Sequence, residues 1–143
     1  TYGAPLIDKG MRLEEADDYA PACLIIFGIA EASAGATRYA APGFATGQTS
    51  ELKVSMPRAG KIRNLRVWAR TGPGAAITDT ITVRIQGVDT ALTTTITGTG
   101  AQENKDVANA PSIVADDDLS VKYVFGASSI AEGITMSMEW TPA

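Results

Sequence analysis

The run Met56-Pro57-Arg58-Ala59-Gly60-Lys61-Ile62-Arg63-Asn64-Leu65-Arg66-Val67-Trp68, followed by Thr80-Ile81-Thr82-Val83-Arg84-Ile85-Gln86-Gly87-Val88-Asp89-Thr90-Ala91-Leu92-Thr93, decides the fold class. In the first stretch Leu65, Val67 and Ala69 fall on one side of an extended chain and Arg66, Trp68 and Arg70 on the other. In the second, Ile81, Val83 and Ile85 point inward between Thr82, Arg84 and Gln86. A period of two in apolar and β-branched residues is what a half-buried antiparallel strand requires, because successive side chains of an extended chain face opposite ways. A helix would scatter the same residues around its circumference.

The alternation recurs outward from this centre. Leu52, Val54 and Met56 oppose Glu51, Lys53 and Ser55 until Pro57 ends the run. Ile62 is out of phase with Leu65 and Val67, which places a bulge near Arg63 or Asn64. Leu92, Thr94 and Ile96 return on the inner face, and Gln86-Gly87 is a weaker two-residue turn than Asn-Gly would be. The polar stretch from Gly98 to Pro111 reads as a long connection holding a short strand. Leu119, Val121, Tyr123 and Phe125 alternate with Ser120, Lys122 and Val124, and Ile134, Met136, Met138 and Trp140 alternate with Thr135, Ser137 and Glu139. Upstream, Cys23 to Ile29 is apolar throughout, a first strand buried on both faces or lying in an interface. Thr37 to Ala41 suits a short strand before the Pro42-Gly43 turn. About eight strands at spacings of about 8–15 residues predict an all-β protein, an antiparallel β-sandwich of jelly-roll type, over residues 23–143.

Residues 1–22 differ. Pro5, Gly10 and Pro21 interrupt them, and Glu14, Glu15, Asp17 and Asp18 cluster there, so an extended N-terminal arm is expected. Tyr2, Leu6, Ile7, Met11, Leu13 and Tyr19 are too many apolar groups for a purely solvated tail, and they point to docking on a partner. The chain opens at Thr1 without a basic and apolar leader, a start that a removed leader or a removed initiator methionine would equally give.

Composition narrows the function classes. A net charge of −4 disfavours a nucleic-acid groove, which depends on clustered positive charge. No apolar run approaches the roughly 20 residues of a membrane helix, so a soluble protein with no membrane partner is expected. The sequence has no histidine, which removes the commonest general base and any Ser-His or Cys-His nucleophile. A carboxylate pair for glycoside hydrolysis would have to be chosen among sixteen acids with nothing to fix it, and neither enzyme activity nor a cofactor is expected. Cys23 is the only cysteine; in Cys23-Leu24-Ile25-Ile26-Phe27 it reads as a small buried hydrophobe, with a reactive or intermolecular thiol as the alternative.

Two features suit binding. Arg66, Trp68 and Arg70 set an aromatic between two cations, which fits a subunit or capsid interface, ordinary packing of a second layer, or stacking of a sugar ring on the indole. The scarcity of aromatics nearby in sequence weighs against the sugar. Asp116-Asp117-Asp118 offers hard oxygen ligands for a cation, yet three adjacent acids on an extended chain cannot all aim at one ion, so a solvated turn is the simpler expectation.

The phrases Thr37-Arg38-Tyr39-Ala40-Ala41-Pro42-Gly43, Met56-Pro57-Arg58-Ala59-Gly60, Ile62-Arg63-Asn64-Leu65-Arg66-Val67, Thr82-Val83-Arg84, Gly87-Val88-Asp89-Thr90-Ala91-Leu92 and Asp118-Leu119-Ser120 resemble a family of phage and prophage virion β-proteins. The resemblance spans roughly residues 33–141 and implies a jelly roll similar to the C1q and tumour-necrosis-factor type, associating as a homotrimer. It carries no catalytic residues. It leaves open decoration, spike or fibre; the small size, the absent chemistry and an arm long enough to reach a neighbour favour a capsid decoration (cement) protein, made in the host cytoplasm and placed on the outer surface of the virion head. The expected partners are further copies of itself, the major capsid protein and neighbouring decoration trimers. A head-spike or fibre domain recognising host-surface glycan is the alternative.

Overall fold

A computed structural model describes residues 22–143. Among them there is no helix, and eleven strands build the molecule: β1 (Cys23–Ile29), β2 (Thr37–Tyr39), β3 (Ala41–Pro42), β4 (Val54–Ser55), β5 (Gly60–Thr71), β6 (Gly74–Ile85), β7 (Val88–Gly98), β8 (Gln102–Asp106), β9 (Ser112–Ile113), β10 (Asp118–Val124) and β11 (Glu132–Pro142). Against the expected eight or so, the surplus comes from β3, β4 and β9, each only two residues long. The expected arm lies outside the described residues except for Ala22.

The strands form two antiparallel sheets packed over one core. The first runs β3-β1-β11-β5-β8, with β9 also pairing β5; the second runs β2-β10-β6-β7, with β4 also pairing β10. The inward halves of the alternations meet between them. Phe27, Ile29, Ile62, Leu65, Val67, Ile134, Met136 and Met138 come from the first sheet, and Ile81, Val83, Leu92, Ile96, Leu119, Val121 and Tyr123 from the second. Burial of such side chains stabilises by about 1.5–3 kcal/mol each, and this face-to-face packing is what fixes strand register.

Two local features set the outer surface. Pairing of β5 with β11 runs from Arg66↔Ser137 to Arg63↔Glu139, so β5 carries one extra residue there. Asn64 absorbs it at φ 56°, and its Nδ2 donates to Glu139 Oε2 at 2.6 Å. This is the bulge that the phase of Ile62 required. The β6–β7 turn is Gln86-Gly87, both at positive φ (53° and 75°), closing on the Ile85↔Val88 pair. Gln86 tolerates that conformation with help: its amide donates to Asp118 O at 2.9 Å, and its Oε1 accepts from the Asp118 amide at 3.1 Å.

Three expectations need correction. Cys23 is exposed, lining an open apolar pocket at one end of the sandwich. Leu52 is 37% exposed, since regular pairing begins only at Val54. Of the two readings of β1, burial on both faces does not hold among the described residues: Phe27 and Ile29 are inside, while Leu24 and Ile26 are 62% and 46% exposed, which leaves the reading of a strand lying in an interface.

Candidate interaction face

The outer surface of the β3-β1-β11-β5-β8 sheet carries Arg66, Trp68 and Arg70, while the arm residues that the sequence singled out lie outside the described residues. Strand alternation fixes which side chains appear there, and register fixes their neighbours. Trp68 lies between Thr135 of β11 and Glu103 of β8; one row along, Arg66 lies between Ser137 and Lys105. Rows are about 7 Å apart along a strand and strands about 4.8 Å apart. These six residues, with Val67 and Asn104, line an open groove of about 420 Å³. Trp68 is 45% exposed, so no second layer of described residues packs over it.

The charges on this face are unevenly matched. Arg70 Nη2 pairs with Glu132 Oε1 at 2.9 Å, so the third member of the Arg66, Trp68, Arg70 trio is partly neutralised. Arg63 pairs with Glu139 at 3.6 Å. Arg66 and Lys105 face each other directly across β5 and β8, and neither has an ion-pair partner among the described residues. Like charges opposed in this way disfavour the pairing of the strands that carry them.

Two strands away, the same face is apolar. Leu24 and Ile26 point outward from β1, and Phe44 lies over Gly28, where a Cβ would come within 2.6 Å of its ring. Phe44 is 54% exposed. Only Gly28 leaves room for that ring, so an absent side chain completes the stripe Leu24–Ile26–Phe44. Phe44 was missed in the sequence because it sits in a turn-rich segment with no alternation.

At the adjoining end of the sandwich, Cys23, Ile25, Val54, Met56, Pro57 and Trp140 line a second, wholly apolar pocket of about 220 Å³. Trp140 Nε1 is buried there without a hydrogen-bond partner among the described residues. A Cβ on Gly60 would come within 2.5 Å of that nitrogen.

The opposite sheet carries a polar cluster that sequence reasoning did not assemble. Arg84, only 17% exposed at its side chain, donates through Nε to Asp89 Oδ1 at 2.8 Å and through Nη1 to Glu51. Its Nη2 donates to the Gly87 carbonyl, and the guanidinium lies 5.7 Å from the centre of the Tyr39 ring. Ser120 Oγ donates to Glu51 at 2.9 Å, and Lys122 Nζ reaches Asp89. The hydrogen bond from Lys122, opposed by some burial and aided by the Lys122 and Arg84 charges, holds the Asp89 carboxyl below its ordinary value. The Arg84↔Asp89 cross-strand pair was the readable signal, because it follows from the Gln86-Gly87 hairpin.

The aspartate run is divided among separate tasks. Asp116 occupies positive φ (70°), Asp117 Oδ2 accepts from the Val114 amide at 3.0 Å, and Asp118 pairs with Lys53 at 3.6 Å. Among the described residues no group of three or more His, Cys, Asp or Glu side chains is placed to hold a metal ion. No helix is long and apolar enough to cross a membrane among these residues.

Compared with models of known protein families and with curated proteins, the chain matches none.

Proposed function

We propose that this chain is a non-enzymatic structural protein of a phage virion, a homotrimeric capsid decoration protein that binds and stabilises the outer head. The observation that carries the reading is the stripe of Leu24, Ile26 and Phe44, three large apolar side chains left facing solvent on one sheet. A contiguous apolar patch on an otherwise well-packed domain marks a protein contact surface, and closed rings of identical subunits are the usual way to cover one. The polar surroundings supply the rim that such contacts have.

The strand order supports a jelly roll. Leaving aside the short β3, β4 and β9, eight strands remain, ordered β1-β11-β5-β8 and β2-β10-β6-β7. The chain crosses between sheets at nearly every connection, as two interleaved Greek keys require. The resemblance of residues 33–141 to phage virion proteins agrees with that order. We assign residues 1–22, with Tyr2, Leu6, Ile7, Met11, Leu13 and Tyr19 as apolar anchors, to contact with the major capsid protein or a neighbouring decoration trimer.

Light scattering of the full chain at micromolar concentration tests the assembly, with a trimer mass expected and a stable monomer against it. Incubation with undecorated heads followed by electron microscopy tests the location. Copy numbers near that of the major capsid protein are expected; density confined to a fibre tip would favour the spike or fibre alternative.

A further inference from the structure

The groove over β11, β5 and β8 is a second feature of the same sheet, bordering the apolar stripe where Ser137 and Thr135 pair with Ile26 and Gly28, and its chemistry is different. Arg66 and Lys105 oppose one another without a carboxylate partner among the described residues, an arrangement that an anion between them would relieve. One row along stands Trp68, whose exposed indole offers a flat apolar plane. Thr135 and Ser137 line the β11 side with hydroxyls, and Glu103 supplies an acceptor on the β8 side.

The geometry points to a binding site for a carboxylate-bearing sugar. The apolar face of a pyranose ring stacks on Trp68, its carboxylate sits between Arg66 and Lys105, and its hydroxyls exchange hydrogen bonds with Glu103, Thr135 and Ser137. The row step of about 7 Å exceeds the reach of a carboxylate on the stacked ring itself, so either the long Arg66 and Lys105 side chains reach along the groove toward Trp68 or the carboxylate is carried on the next sugar residue. An acidic peptide would satisfy the two cations equally well. It is disfavoured because the backbone donors and acceptors of β5 are taken up by its ladders to β11 and β8, so a peptide laid over this face finds no main-chain partner. A sugar needs only side chains, and side chains are what the groove presents.

This inference does not depend on the virion reading, since a decoration trimer, a fibre domain or an unrelated β-protein presents the groove alike. It is tested on the full chain with trigalacturonic acid and 3′-sialyllactose as acidic probes and lactose as the neutral control, followed by calorimetry and tryptophan fluorescence. Binding of at least one acidic probe is expected, with lactose weaker by about tenfold or more and with affinity falling as salt rises. Trp68→Ala and Lys105→Gln, both at exposed positions, are each expected to weaken binding by about fivefold or more while circular dichroism stays unchanged. Trp140, the only other tryptophan, keeps its emission in the Trp68→Ala protein. A synthetic peptide of residues 8–20, which carries the acidic cluster, is run in parallel. The proposal is overturned if neither acidic probe binds at millimolar concentration, if lactose binds equally well, if Trp68→Ala leaves affinity unchanged, or if the peptide alone perturbs Trp68.

Discussion

Tyr123 donates its phenol hydrogen to Asp79 Oδ2 at 2.6 Å, with both residues wholly buried. The same carboxylate accepts from Ser129 Oγ at 2.8 Å and from the Gly126 amide at 2.8 Å, so one side chain of β6 ties down both the end of β10 and the loop that follows it. Tyr123→Phe keeps the ring against Phe125, whose centroid is 4.3 Å away, and removes one of the three donors. It is expected to cost about 1–3 kcal/mol, measured as a fall in urea midpoint at unchanged slope. Burial first, then the hydrogen bond and charge of Asp79, hold the phenol well above its ordinary 10.0. The folded state therefore favours the protonated phenol: its contribution is complete below pH 10 and is lost as pH rises beyond it. The stability difference between wild type and Tyr123→Phe is expected to shrink above pH 10, and a constant difference would refute the linkage.

The bulge at Asn64 predicts an inverted order of substitutions. At φ 56° a β-branched residue is strained and glycine is not. Asn64→Val is expected to destabilise by about 1–3 kcal/mol, and more than Asn64→Gly does, although glycine also loses the hydrogen bond to Glu139. Thermal unfolding of the two variants decides it.

Arg84 is the joint of the opposite sheet, and its loss strands Glu51, whose side chain is 16% exposed. Arg84→Met is expected to cost about 1–3 kcal/mol, and Arg84→Lys is expected to recover only part, since an ammonium cannot fork to Glu51, Asp89 and the Gly87 carbonyl together. Hydrogen exchange would locate the damage in residues 48–55. Asp89 titrates below its ordinary 3.8, so its contribution is present above that pH and disappears as pH falls through the lowered value. With Asp89 47% exposed, that acid effect is small and weakens with salt.

Ile26→Lys places a charge in the middle of the exposed stripe without touching the core. Sedimentation is expected to show a shift toward lower mass at unchanged thermal stability of the β-fold, and an unaltered assembly would move the subunit contact elsewhere.

The sequence carried the strands well wherever one face is core and the other solvent, as in β5, β10 and β11, because burial writes period two directly into residue choice. It carried less where the outward face is itself covered. Thr82 and Arg84 read as solvent-facing, yet Thr82 is 7% exposed and the Arg84 side chain 17%, the latter held against Tyr39 and Glu51 from distant positions. Cys23 failed for the opposite reason: an apolar run suggested burial, but at that end of the sandwich the apolar pocket that Cys23 lines stays open. The groove was half legible. Arg66 and Trp68 stood out on β5, but Glu103 and Lys105 sit in a polar segment whose strand crosses back to the first sheet after β7, and no local pattern announces that return.

β11 is the last strand in sequence, yet it lies inside its sheet between β1 and β5. During synthesis the ribosome has therefore delivered every other strand before the one that joins the first to the middle of the domain. Until Glu132–Pro142 emerges, β1 and β5 each present an unpaired edge, and the side chains that Ile134, Met136 and Met138 will cover stay open to solvent. This domain cannot close strand by strand as it is made; it closes only once β11 is available to pair, with an aggregation-prone interval just before.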